Sequence, residues 1–144
     1  MSTYTGACLC RGITFTLSGD PQAVFVCYCT DCSLNAGGPF QITARFPSPS
    51  LQLHDPENLK TVYTVTSGTV SGHPKEKHFC GRCGCTLFTV PLKHDREIVV
   101  MRTAVIEGGL ERFRPQAELF CKRRPGYLRP CEGTEEWEEM PVAK

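Results

Sequence analysis

Seven of the chain's ten cysteines fall into clusters whose spacing suits metal ligation: Cys8/Cys10, Cys27/Cys29/Cys32 and Cys80/Cys83. Gly6-Ala7-Cys8-Leu9-Cys10 sets two thiols one residue apart, and Phe79-Cys80-Gly81-Arg82-Cys83-Gly84 sets two more with the two-residue gap of a zinc knuckle. Neither pair suffices alone, because tetrahedral zinc takes four ligands at about 2.3 Å from each sulfur. Together they predict a closed structural site that ties Cys8 and Cys10 to Cys80 and Cys83. Gly81 and Gly84 suit such a turn, where positive φ and close backbone approach let amides donate to thiolates. The alternative is four buried thiols acting as small apolar groups, but clustering at ligand spacing in two places favours zinc.

The middle cluster, Cys27-Tyr28-Cys29-Thr30-Asp31-Cys32, offers three thiols within six residues. Three protein ligands with the fourth position open is the pattern of a catalytic zinc, which acts as a Lewis acid and deprotonates a bound thiol or water. Two other readings stay open: Cys85 closes this site as a fourth ligand, or the trio is a redox group without metal. Cys85 also competes for the structural site, since it lies two residues after Cys83 and an extended strand would turn both to one face. Cys121 and Cys131 have no partner at ligand spacing and read as packing or surface thiols.

The elements that must position these clusters are mostly strands. Ile13, Phe15 and Leu17 alternate, as do Phe40, Ile42 and Phe46, then Val62 with Thr64, and later Leu87 with Val90. Glu97-Ile98-Val99-Val100-Met101 suits a buried strand, and Gly108-Gly109-Leu110-Glu111 marks a turn before Phe113 and Pro115. No segment before residue 100 has a sustained helical period. The reading is a single zinc domain over 1–131, mainly β, followed by an acidic tail over 132–144. A basic run (Lys122, Arg123, Arg124, Arg129) precedes the acidic one (Glu132, Glu135, Glu136, Glu138, Glu139), and the two read as a solvated, mutually neutralising face.

Composition bounds the class. Apolar residues make up 40% and charged residues 22% of 144 residues, values of an ordinary globular chain. No stretch approaches the roughly 20 apolar residues of a membrane span, and the start lacks signal-peptide character. The expectation is a cytoplasmic protein, where so many cysteines imply metal or thiol chemistry rather than disulfides. The formal charge of +1 falls to −2 once seven thiolates hold two zinc ions, which gives nucleic-acid binding no support.

The order of motifs resembles that of the glutathione-dependent formaldehyde-activating enzyme (GFA) family, which includes the centromere protein V type of domain. Gly6-x-Cys8-x-Cys10 resembles its opening, Cys27-x-Cys29-x-x-Cys32 with Gly37, Gly38, Pro39 and Phe40 its central motif, and Phe79-Cys80-x-x-Cys83-Gly84-x-x-Leu87 its third. Arg102-Thr103-Ala104-Val105 and Pro115 are also similar, so the resemblance runs over about residues 4 to 129. It implies an Mss4-like (β-tent) fold of coiled antiparallel sheets, with the first and third motifs holding structural zinc and the central motif catalytic zinc. It also implies addition of a glutathione thiol to formaldehyde, formally a carbon–sulfur lyase run in reverse.

The chain departs from the family pattern where Tyr28 replaces a common His, Ser33 a basic residue, Arg11 a glycine and Glu118 a His. Tyr28 can donate a hydrogen bond near the metal and Glu118 can serve as base if it lies in the cleft; the plainer reading is a packing tyrosine and a surface carboxylate. The leading expectation is therefore a zinc-dependent carbon–sulfur lyase acting on a glutathione-like thiol and a carbonyl or other electrophile. The alternatives are a non-catalytic zinc module for protein or nucleic acid, and an enzyme of specialised metabolism with another substrate.

Overall fold

The computed structural model describes residues 1–141; the last three residues of the expected acidic tail lie outside the described residues. Two sheets form the body. A three-stranded antiparallel sheet joins β1 (Thr3–Ala7), β2 (Thr14–Ser18) and β5 (Leu51–His54) in the order β1-β2-β5. An eight-stranded sheet contains β3 (Ala23–Cys27), β4 (Gln41–Pro47), β6 (Lys60–Val65), β7 (Lys75–Cys80), β8 (Thr86–Pro91), β9 (Ile98–Arg102), β10 (Ala117–Leu119) and β11 (Glu135–Glu136). Its order is β11-β10-β3-β4-β9-β8-β7-β6. Pairing is antiparallel from β3 through β6, whereas β10 runs parallel to both β3 and β11.

The alternating residues of β2 do what their period predicts. Ile13, Phe15 and Leu17 are buried while Thr14 and Thr16 are not, and they pack with Ala44, Phe46, Leu87, Phe88, Val99 and Met101 of the larger sheet. Each such side chain contributes about 1.5–3 kcal/mol on burial. Gly6 is required where the sheets meet: it bridges Ile106, and a Cβ there would lie 2.3 Å from both the Phe15 ring and the Val105 carbonyl. Val62, by contrast, sits on the edge strand β6 and is exposed.

Two short helices join the mainly β body. α1 (Thr30–Ala36) follows the central cysteines, and α2 (Gly109–Arg112) occupies the predicted turn. Because α1 buries no residue fully, it has no apolar stripe for a helical period to reveal. Its signals are its ends instead: Cys29 caps the N-terminus and Gly37, at φ 67°, closes the C-terminus in the left-handed conformation. At the other end of the chain, Glu135–Glu136 adds to the sheet edge beside β10. Lys122 pairs with Glu139 and Arg124 with Glu136, so the basic and acidic runs do neutralise each other in part.

Candidate metal centre

The first and third cysteine pairs converge from opposite ends of the fold. Cys8 and Cys10 lie in the β1–β2 connection, where the Arg11 amide donates to the Cys8 carbonyl at 3.1 Å and the Cys8 amide to that of Ile13 at 3.1 Å. Cys80 ends β7, and the turn after it closes through the Gly84 amide on the Cys80 carbonyl at 2.8 Å, with Gly84 at φ 75°. Cysteines 70 residues apart thereby come together, with Cys10 Sγ 3.6 Å from Cys8 Sγ and 3.7 Å from Cys80 Sγ. All four sulfurs, Cys83 included, lie within 4.8 Å of one another. Sulfurs placed about 2.3 Å from one tetrahedral ion stand about 3.8 Å apart, so the group fits a metal, and it is far too open for disulfides.

The surroundings favour negative charge on these sulfurs. The Gly12 amide and, after it, the Arg82 guanidinium hold the Cys10 thiol down to about 6. Arg82 reaches Cys10 Sγ with its Nε at 3.4 Å and Glu57 with Nη1 at 3.0 Å. Burial pushes the Cys80 thiol up to about 11, the cost that a cation in the group would offset. Sequence reasoning did not single out Arg82, although its place inside the knuckle was the available signal.

The trio forms at the junction of β3 and α1. Cys27 ends the strand, Cys29 caps the helix by accepting the Cys32 amide at 3.4 Å, and Cys32 sits in the first turn. Their sulfurs converge within 4.8 Å, and among the described residues no fourth Cys, His, Asp or Glu joins them. Hydrogen bonds from Cys27 and then Cys32 hold the Cys29 thiol far below its ordinary value. Those same contacts, with burial, push Cys27 far up. Cys32, lowered by Cys27 but raised more by Cys29 and burial, stands at about 11. Three convergent sulfurs give the trio the donor chemistry of a three-coordinate metal site.

Cys85 joins neither group. It packs beside the four-sulfur site, where burial raises its thiol, and its Sγ reaches the Thr86 carbonyl at 3.8 Å. Cys121 donates to the Glu118 carbonyl at 3.4 Å, in keeping with a packing role.

Tyr28 and Glu118 meet beside the trio. The Tyr28 hydroxyl donates to Glu118 Oε1 at 2.9 Å, while Oε2 accepts from the Thr134 hydroxyl at 2.7 Å and the Cys131 amide at 3.2 Å. Glu118 is 0% exposed, so it lies in no open cleft, and both its oxygens are occupied. Burial, with Glu118 as partner, raises the Tyr28 phenol above its ordinary value. Tyr28 also packs on Phe40 at 5.5 Å and under the Arg124 guanidinium at 5.6 Å.

Two buried polar residues beside the trio went unassigned from sequence, Gln41 and Arg102. Cys27 pairs with Gln41 and Thr43 with Arg102 across adjacent strands, so all four project from one face of the sheet. The hints were the charged end of an otherwise apolar run, Ile98 to Arg102, and the place of Arg102 at the head of a segment that resembles the family. Two surface clefts, of about 750 and 760 Å³, are lined by none of the cysteines. Neither cysteine group includes His73, His78 or His94.

Comparison with known proteins agrees with the order of motifs. A Halomonas elongata protein provisionally named a glutathione-dependent formaldehyde-activating enzyme is 27% identical over 125 residues, covering 85% of this chain and 78% of the relative. A solved structure of a Rhodobacter sphaeroides protein superposes with a TM-score of 0.55 at 21% identity, over 72% of this chain and 88% of that one, and so shares the fold. Residues 3–123, which span both cysteine groups, match the family described as glutathione-dependent formaldehyde-activating enzyme, and the chain belongs to that family.

Proposed function

We propose that the chain is a zinc-dependent enzyme of carbon–sulfur lyase type, joining a glutathione-like thiol to formaldehyde or another small electrophile. The observation that carries this is the unequal ligand count: four convergent sulfurs in one group, three in the other. Cys8, Cys10, Cys80 and Cys83 would hold a structural zinc, and Cys27, Cys29 and Cys32 a second one with a place left for substrate. That second zinc would supply Lewis acidity and keep a substrate thiol deprotonated near neutral pH.

The residues of the chain do the rest. Cys29, fixed by the helix amide it accepts, sets the orientation of the trio. Tyr28 and Glu118 serve as positioning residues, pinning the β3–α1 junction to the segment around Cys131 and Thr134. Holding thiol and carbonyl together supplies the proximity that a bimolecular addition lacks in solution. Support for a nucleic-acid role from the basic run is reduced, because two of its four cations, Lys122 and Arg124, are paired with carboxylates.

The test is to follow S-hydroxymethylglutathione by NMR after mixing glutathione with isotopically labelled formaldehyde. The two-zinc protein should speed its formation over the spontaneous rate, and the Cys29→Ser protein should not. Wild-type protein with two zinc ions bound and no acceleration for formaldehyde or other small aldehydes would sink the reading.

A further inference from the structure

Arg102 is a charged side chain 6% exposed to solvent, and among the described residues it has no carboxylate partner. Its Nη1 donates to the Val100 carbonyl at 3.1 Å and its Nη2 to the Thr89 hydroxyl at 2.8 Å, which leaves Nε buried and unpaired. The Gln41 carboxamide, also buried, has an unpaired Oε1. A cation in such a place costs several kcal/mol unless an anion faces it. Arg102 shares one face of the sheet with Cys27 and Gln41, and the sulfurs of the trio, once ionised, are the negative groups that would attract it.

Charge counting shows what is missing. Three thiolates around a divalent ion carry one net negative charge, which Arg102 balances. An anionic fourth ligand adds another charge, and a thiolate or alkoxide arriving there needs a hydrogen-bond donor that is already in place. The free Nε–H of Arg102 is such a donor. The Gln41 carboxamide, whose NH₂ and oxygen can exchange places by a flip, is a second.

We propose that Arg102, assisted by Gln41, is the anion-holding residue of the trio, binding the negatively charged sulfur or oxygen that occupies the place beside Cys27, Cys29 and Cys32. This rests on reading the trio as an open-position site. In the addition, the thiol loses its proton to solvent, the S–C bond forms, and the C=O π bond breaks. Its electron pair ends on oxygen, facing Arg102, and that alkoxide takes a proton back from solvent. Nothing is oxidised or reduced.

The test uses full-length, two-zinc protein as wild type, Arg102→Met, Arg102→Lys and Gln41→Leu. Zinc content, thermal unfolding, and calorimetric binding of two probes, glutathione and azide, are measured for each. Arg102→Met should keep both zinc ions and bind both probes roughly tenfold or more weakly, the scale of one charge-assisted hydrogen bond, with part restored in Arg102→Lys. Wild-type affinity in a folded, fully metallated Arg102→Met protein overturns the inference, and so does loss of zinc from the trio.

If Arg102→Met does not fold, Gln41→Leu decides: weaker binding of both probes supports the proposal, and unchanged binding overturns it. Azide bound in an Arg102-dependent way by a protein that ignores glutathione would leave this inference standing and remove the thiol substrate. Glutathione bound without regard to Arg102 would do the reverse.

Discussion

The two cysteine groups are built over very different lengths of chain. Cys10, in the β1–β2 connection of the small sheet, and Cys80, at the end of β7 in the larger one, are separated by 70 residues, whereas Cys27, Cys29 and Cys32 belong to one strand end and the helix turn it runs into. A cross-link between distant residues removes much of the unfolded chain's freedom, while one within six residues removes little. The difference teaches that the distant group is placed to stabilise and the local one is free to exchange a ligand without unfolding the protein. Their surroundings agree. The four-sulfur group packs against the main apolar core, while the trio packs in a smaller cluster with Tyr28, Leu119 and Phe120.

The strongest way to break this comparison is to remove a sulfur from each group. Cys80→Ser should cost about 3 kcal/mol or more, because losing a structural metal takes its binding energy out of folding. Denaturant titration and metal analysis would check it, and a variant as stable as wild type would refute the stapling role. Cys29→Ser should lose one zinc ion and roughly a thousandfold or more in turnover, with stability changed by about 1 kcal/mol. A mild chelator should reproduce that pattern reversibly. If instead Cys29→Ser unfolds and Cys80→Ser stays folded but inactive, the two roles are exchanged.

Glu118→Ala sharpens the comparison at the edge of the trio. It strands the Tyr28 phenol and the Cys131 amide, while the Thr134 hydroxyl keeps the Cys131 carbonyl as acceptor, and each buried unsatisfied group costs about 1–3 kcal/mol. A loss of about 2–4 kcal/mol in denaturant unfolding is expected, with turnover per folded molecule retained. Lost turnover at unchanged stability would return Glu118 to the chemistry.

Both groups were legible in the sequence because ligand spacing is written locally: Cys-x-Cys and Cys-x-x-Cys each fit within one turn. The convergence of the first and third pairs was also inferable, since neither supplies four ligands. The strands around Phe15 and Val99 were visible through alternation and apolar runs. α1 was not, because its residues are ordered by caps and cysteines rather than by a buried stripe. Nor was the fate of Glu118, whose burial depends on β10 running parallel to β3, a pairing without a local signature. Arg102 hid for a related reason: its neighbours across the sheet come from chain segments dozens of residues away.

Arg11 offers the smallest and most local test. It follows Cys10 at a position where the family resemblance implies glycine, and its φ of 62° lies in the left-handed region that costs a non-glycine residue about 1 kcal/mol. The next residue has no room for a side chain, since a Cβ on Gly12 would stand 2.4 Å from Arg82 Nη2 and 2.5 Å from Leu59. The turn is therefore fixed by the approach of the Cys80–Cys83 knuckle, and Arg11 accepts the strain. Arg11→Gly relieves it but gives back flexibility in the unfolded chain, so a net gain of about 0.5 kcal/mol is expected, with zinc affinity and turnover unchanged. A fall in stability would mean that the exposed guanidinium makes a contribution the backbone geometry does not account for. A change in turnover would tie the departure from glycine to substrate rather than to strain.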